Sequence, residues 1–148
     1  MQLVPRRIRA WGKVLGLVCL SSLMALGLTG DIPCGFGTPS PTPDLETWVE
    51  KLKSQEGVFV REESNCRIVL VTMGARPTGG YSIKVEKVRR TQDAWIIEVT
   101  THVPGPHDVV TQVITYPYQL IRIPKDGLKI EVYEKTERGL IMKGLSRS

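Results

Sequence analysis

At 148 residues, with 41% hydrophobic and 24% charged, the chain can bury the core of one modest domain and falls outside the disordered class. The formal charge of +5 overstates the basicity of any folded part. Four of the 20 basic residues, Arg6, Arg7, Arg9 and Lys13, precede the first apolar run, and the other 16 nearly balance 15 acidic ones. A nucleic-acid binder keeps a basic face on its folded domain, so nucleic acid is set aside as a partner.

Residues 1–30 have the three-part form of an export signal: a basic start, an apolar run over 14–28, and small residues near its end. That run is shorter than the roughly twenty residues of a comfortable transmembrane helix. Cleavage after Gly27 or Gly30 fits, with an uncleaved membrane anchor as the alternative, and both place the domain outside the cytoplasm, secreted or held at the cell envelope. Neither Cys19 nor Cys34 follows the small residues that lipidation would need. Loss of the signal leaves Cys34 and Cys66, an even count where disulfides persist; the pair is a candidate disulfide, with free thiols as the other reading. There is no Cys-x-x-Cys pair and no Cys/His cluster, so no metal and no cofactor are expected.

Residues 31–43 are rich in Gly, Pro, Ser and Thr and read as an extended, hydrated spacer. Asp44 then stands as an N-cap before Leu45, Trp48, Val49 and Leu52, one face of a short helix ending near Gly57. Beyond it the period becomes that of strands. Residues 58–60 form a short one; 67–73 is nearly continuous in apolar residues, as expected of a central strand covered on both faces. Alternation over 81–88 puts Tyr81 on the core side, where its hydroxyl needs a partner. Trp95, Ile97, Val99, Thr101 and Val103 share one face of a third long strand, reached through a hairpin turn at Gln92-Asp93. A fourth strand is expected over 109–115, with Gln112 as a buried, structural polar residue. A fifth follows over 119–123, with Pro117 at an edge or a break before it, and a last over 128–132 after the turn at Asp126-Gly127. The resulting domain spans 44–133, and the charged stretch 134–148 either frays or adds an edge strand through Leu140-Ile141-Met142. The fold expected is mainly β, an antiparallel β-sandwich or partly open barrel with one short N-terminal helix.

The most structured loop joins the second and third strands: Arg76-Pro77-Thr78-Gly79-Gly80-Tyr81. Pro77 fixes its own φ and holds Arg76 extended, and the two glycines permit positive φ before Tyr81. Such a rigid, weakly charged tip suits binding; a plain tight hairpin is the alternative. Pro104-Gly105-Pro106 and Tyr116-Pro117-Tyr118 are second and third loops that join it if they cluster at one end. Catalysis has less to work with. His102 and His107 have no nucleophile motif beside them, Glu62-Glu63 reads as a solvated pair, and Gly79-Gly80 lacks the spacing of a phosphate loop. No enzyme is expected.

The stretch 73–83, then Pro104-Gly105-Pro106, then Val113-Ile114-Thr115-Tyr116-Pro117-Tyr118 and 121–124, resembles the C-terminal domain of the PrcB family, over roughly residues 67–124. The resemblance implies a secreted or surface, β-rich, non-catalytic domain that assists or stabilises a protease complex. Pro77-Thr78-Gly79-Gly80-Tyr81 is also similar, more faintly, to the loop that chagasin-type inhibitors insert into cysteine proteases. That motif has Asn before the proline and a second Thr after the first, where this chain has Arg76 and Gly79. The partner implied is an extracytoplasmic protein such as a protease, with direct inhibition as the alternative to an accessory role.

Overall fold

The computed structural model describes residues 34–136 and 139–146; the expected signal segment, Cys19 included, lies outside them. Seven strands follow one helix: α1 (Pro43–Leu52), β1 (Glu56–Glu62), β2 (Cys66–Met73), β3 (Ser82–Arg90), β4 (Ala94–His102), β5 (Tyr118–Pro124), β6 (Lys129–Thr136) and β7 (Gly139–Ser146). They form two sheets, ordered β1-β2-β5 and β3-β4-β6-β7. This is the sandwich-like, mainly β architecture read from the sequence, with no closed barrel. It is not wholly antiparallel: β4 and β6 pair in parallel, Ala94 opposite Lys129 through Val99 opposite Glu134, because the chain passes through the other sheet as β5 before returning.

The apolar run of β2 has the cause expected of it. Val69, Val71 and Met73 face the second sheet and join Ile121 and Ile123 of β5, Ile83 of β3, Trp95, Ile97 and Val99 of β4, and Ile130 and Val132 of β6 in the main core. On the opposite face Ile68 packs with Leu45 and Val49 under α1, flanked by Trp48 and Leu120. The described residues thus form three layers, helix on sheet on sheet, and the run Ile68–Val71 of β2 is continuously apolar because both of its faces are covered. Burying Leu45 and Val49 stabilises the helix's docking by about 2 kcal/mol each. The cap lies two residues before the expected one: the Thr42 hydroxyl accepts from Leu45 N–H (3.3 Å), Pro43 opens the first turn, and Asp44 sits within it.

Two segments differ from their sequence reading. Residues 34–42 are no free spacer. Cys34 is disulfide-bonded to Cys66 at the start of β2. Gly37 then pairs with Arg122 of β5 through two backbone hydrogen bonds of 2.7 and 3.3 Å, and Pro39 is buried. The stretch is a strap along the outer edge of β5, and of the two thiol readings the disulfide is the one found. The tail is the edge strand, not a fraying end: β7 pairs antiparallel with β6, and Lys143 on it bridges Glu56 of β1 (3.3 Å) and Glu134 of β6 (3.2 Å).

Candidate functional site

The fourth strand expected over 109–115 does not form. Residues 103–117 instead make one long loop between β4 and β5, and it is folded against the 76–80 loop. Arg76 and Thr115 exchange both backbone hydrogen bonds (2.8 and 2.9 Å), and Gly79 N–H donates to the Thr111 carbonyl (2.9 Å). The Thr115 hydroxyl donates to the Thr78 carbonyl (2.8 Å). This pairing engages the Thr111 carbonyl and both backbone groups of Thr115, while most of the other residues of 109–115 are exposed, where water can serve their backbone. Gln112 falls in a bend and is exposed; it is not the buried structural polar residue its place in a strand required.

The two glycines of the 76–81 loop earn their place by close approach. Gly80 has φ +83°, and a β-carbon on it would lie 2.8 Å from Val110 Cγ1 and 3.1 Å from Pro104 Cβ; one on Gly79 would collide with the Thr111 hydroxyl. The second and third loops therefore do join the first. Pro104 packs on Gly80, the Gly105–Asp108 turn is closed by Gly105 N–H donating to Asp108 Oδ2 (2.7 Å), and the Pro117 carbonyl accepts from Met73 N–H (3.0 Å). Tyr116 receives the Lys53 ammonium at 5.0 Å from its ring centre. Tyr81 lies partly buried against the main core, as its phase in the strand predicts, with the Arg76 guanidinium 5.8 Å from its ring centre. Arg76 also pairs with Glu56 (2.9 Å). Burial alone would raise the Glu56 carboxyl, but hydrogen bonds and charge from Lys143 and then Arg76 hold it below its ordinary value.

Among the side chains that the assembled loops present to solvent are several large apolar ones, beside the polar His107, Asp108, Thr111 and Gln112. Val109 is fully exposed, Val113 and Ile114 are 61% and 60% exposed, and Val103, Tyr116 and Tyr118 are exposed beside them in sequence. Of residues 103–118 only Asp108 carries a full charge at neutral pH. The sequence reading missed Val109, Val113 and Ile114 as surface residues because their spacing is that of a strand. The signal that could have found them is the Pro104, Pro106 and Pro117 that bracket the run. His102 and His107 are both exposed, and among the described residues no group of three His, Cys, Asp or Glu is placed to hold a metal.

The longest loop of this two-sheet domain thus carries exposed valine, isoleucine and tyrosine on a base held by backbone hydrogen bonds. The family model described as PrcB C-terminal matches residues 67–124, from the second residue of β2 to the end of β5, and over that stretch the chain is similar to the family. α1, β1, β6 and β7 lie outside the match, although Ile130 and Val132 of β6 are fully buried in the same core. No curated protein and no solved structure matches the chain.

Proposed function

We propose that this chain is an exported, non-catalytic interaction domain, an accessory or stabilising subunit of an extracytoplasmic protease or surface complex. Its contact surface is the apolar 103–118 loop and the exposed Pro77 beside it. The observation that carries the reading is the combination of an uncharged, outward-facing Val109, Val113 and Ile114 with a backbone pinned at Arg76, Gly79 and Thr115. Long loops in compact domains are usually functional, and an apolar patch held rigid binds a partner without paying to order itself. The match to PrcB C-terminal points to a protease complex as the setting. The packing of Gly79 and Gly80 against 104–111 favours this accessory role over chagasin-like insertion of the 77–81 tip into a protease cleft.

The test is a pull-down from the native cell envelope with the full chain and with a Val113→Asp/Ile114→Asp variant. Both side chains face solvent, so the variant should fold with a stability change within about 0.5 kcal/mol. The parent should retain a protease or a protein bound to one, and the folded variant should lose it. Retention of the same proteins by both would remove the loop as the contact surface. Stoichiometric slowing of papain-like proteases by the purified chain would favour the inhibitor instead.

A further inference from the structure

A second surface adjoins the 103–118 loop. Between the strap, α1 and the start of β5 lies a groove of about 310 Å³, the lower end of the range for sites that take a small ligand or one large side chain. Leu45, Val49 and Leu120 give it an apolar floor, and Pro39 and Pro41 of the strap close one wall. Three polar groups stand on its lining: the carboxylates of Glu46 and Glu50, and Tyr118, which is 40% exposed. Glu50 is paired with Lys53 (2.7 Å); Glu46 makes no ion pair among the described residues, and no Lys or Arg lines the groove.

We infer that this groove takes a lysine- or arginine-bearing apolar segment of the protein partner. Resting on the accessory reading above, the inference adds the chemistry of what is recognised. A long basic side chain buries its aliphatic stem on apolar surface and keeps its charged end at the rim. Here the stem meets Leu45, Val49 and Leu120, and the charge meets Glu46 first, then Glu50. Tyr118 belongs to both surfaces, at the end of the apolar loop and on the groove wall, so one partner spans the two without a gap. The charges also sort the two surfaces by role: the loop is nearly neutral and supplies apolar area, while the groove supplies sign selectivity.

A random dodecapeptide phage library panned against the purified full chain tests this, with Glu46→Gln/Glu50→Gln and Val113→Asp/Ile114→Asp variants as counter-targets. Enriched peptides should carry Lys or Arg flanked by apolar residues. They should bind the Glu46→Gln/Glu50→Gln variant about tenfold more weakly, with a shallower salt dependence. Peptides without a cation, equal affinity for the two-glutamine variant, or no enrichment at all would overturn the groove assignment. The envelope pull-down separates the two readings: a partner lost by the Val113→Asp/Ile114→Asp variant but fully kept by the Glu46→Gln/Glu50→Gln variant leaves the accessory role standing and removes the groove from it.

Discussion

Asp126 shows how much a single turn residue holds. From the β5–β6 turn its carboxylate accepts from Arg67 Nη2 of β2 (3.1 Å), Arg90 Nε of β3 (3.0 Å) and Trp95 Nε1 of β4 (3.0 and 3.1 Å), and from Leu128 N–H (3.3 Å). Both sheets are thereby tied to one acid. Arg67 is only 2% exposed and is further held by the Leu128 carbonyl (2.7 Å). Asp126→Asn removes the carboxylate hydrogen-bonded to that buried guanidinium, so we expect a loss of about 3 kcal/mol in urea unfolding. A loss below about 1 kcal/mol would mean that solvent already screens the pair. Gly80→Ala makes a second case at this scale. Positive φ and the approach of Val110 and Pro104 both act against a β-carbon, and the expected cost is about 2 kcal/mol. Because Val113 and Ile114 keep their exposure, partner capture by the folded fraction should survive. A binding loss without a stability loss would make the 77–81 tip itself the contact.

Among the elements, those whose pattern reports burial were legible and those whose pattern reports pairing were not. The continuous run from Ile68 to Met73 gave β2 its central place, and the alternation from Trp95 to Val99 gave β4 its buried face, since both patterns follow from which side is covered. Val109 to Thr115 has strand-like composition too, but its hydrogen-bonding partner is a loop 35 or so residues earlier, and single-sequence periodicity carries no information on that choice. The same blindness hid the candidate site's apolar residues, while its base, Arg76 to Tyr81, was visible through Pro and Gly alone. The strap is the converse: its prolines read as a solvated spacer. Gly37 and Arg122 form a hydrogen-bonded antiparallel pair, and residues 39 and 41 would turn the same side to β5; as prolines they have no N–H to give, so the pairing stops at that single bridge. The Cys34–Cys66 bond, across a sequence separation of 32, anchors that strap and should contribute about 3 to 4 kcal/mol through the unfolded state. Replacing both cysteines by alanine should lower the melting temperature and speed hydrogen exchange at the Arg122 amide, whose acceptor is the Gly37 carbonyl. Unchanged exchange at Arg122 would show that the strap docks without its covalent anchor.

Across the described residues as a whole, two ion clusters tie the sheets together, and both are built around carboxylates. Glu56 links β1 to Lys143 of β7 and to Arg76 at the base of the apolar loop, and Asp126 links the β5–β6 turn to β2, β3 and β4. For Asp126, as for Glu56, burial alone would raise the acid. Hydrogen bonds from Arg90, Leu128 N–H and Trp95, with the Arg90 charge, outweigh it and hold it below the ordinary 3.8; Glu56 lies below 4.5. A folded-state value below the unfolded one means that the stabilisation is fully present above the ordinary carboxylate range and is lost as pH falls through it. Stability should therefore be flat from neutrality down to about pH 5 and then decline as both clusters take up protons. A Glu56→Gln/Asp126→Asn variant should be less stable at neutral pH but decline less steeply between about pH 5 and 3, because it has two fewer protons to take up on unfolding. Equal slopes for parent and variant in urea titrations across that interval would place the acid sensitivity in other carboxylates. A shallower slope in the variant would assign that share of the acid sensitivity to the two carboxylates that link the sheets.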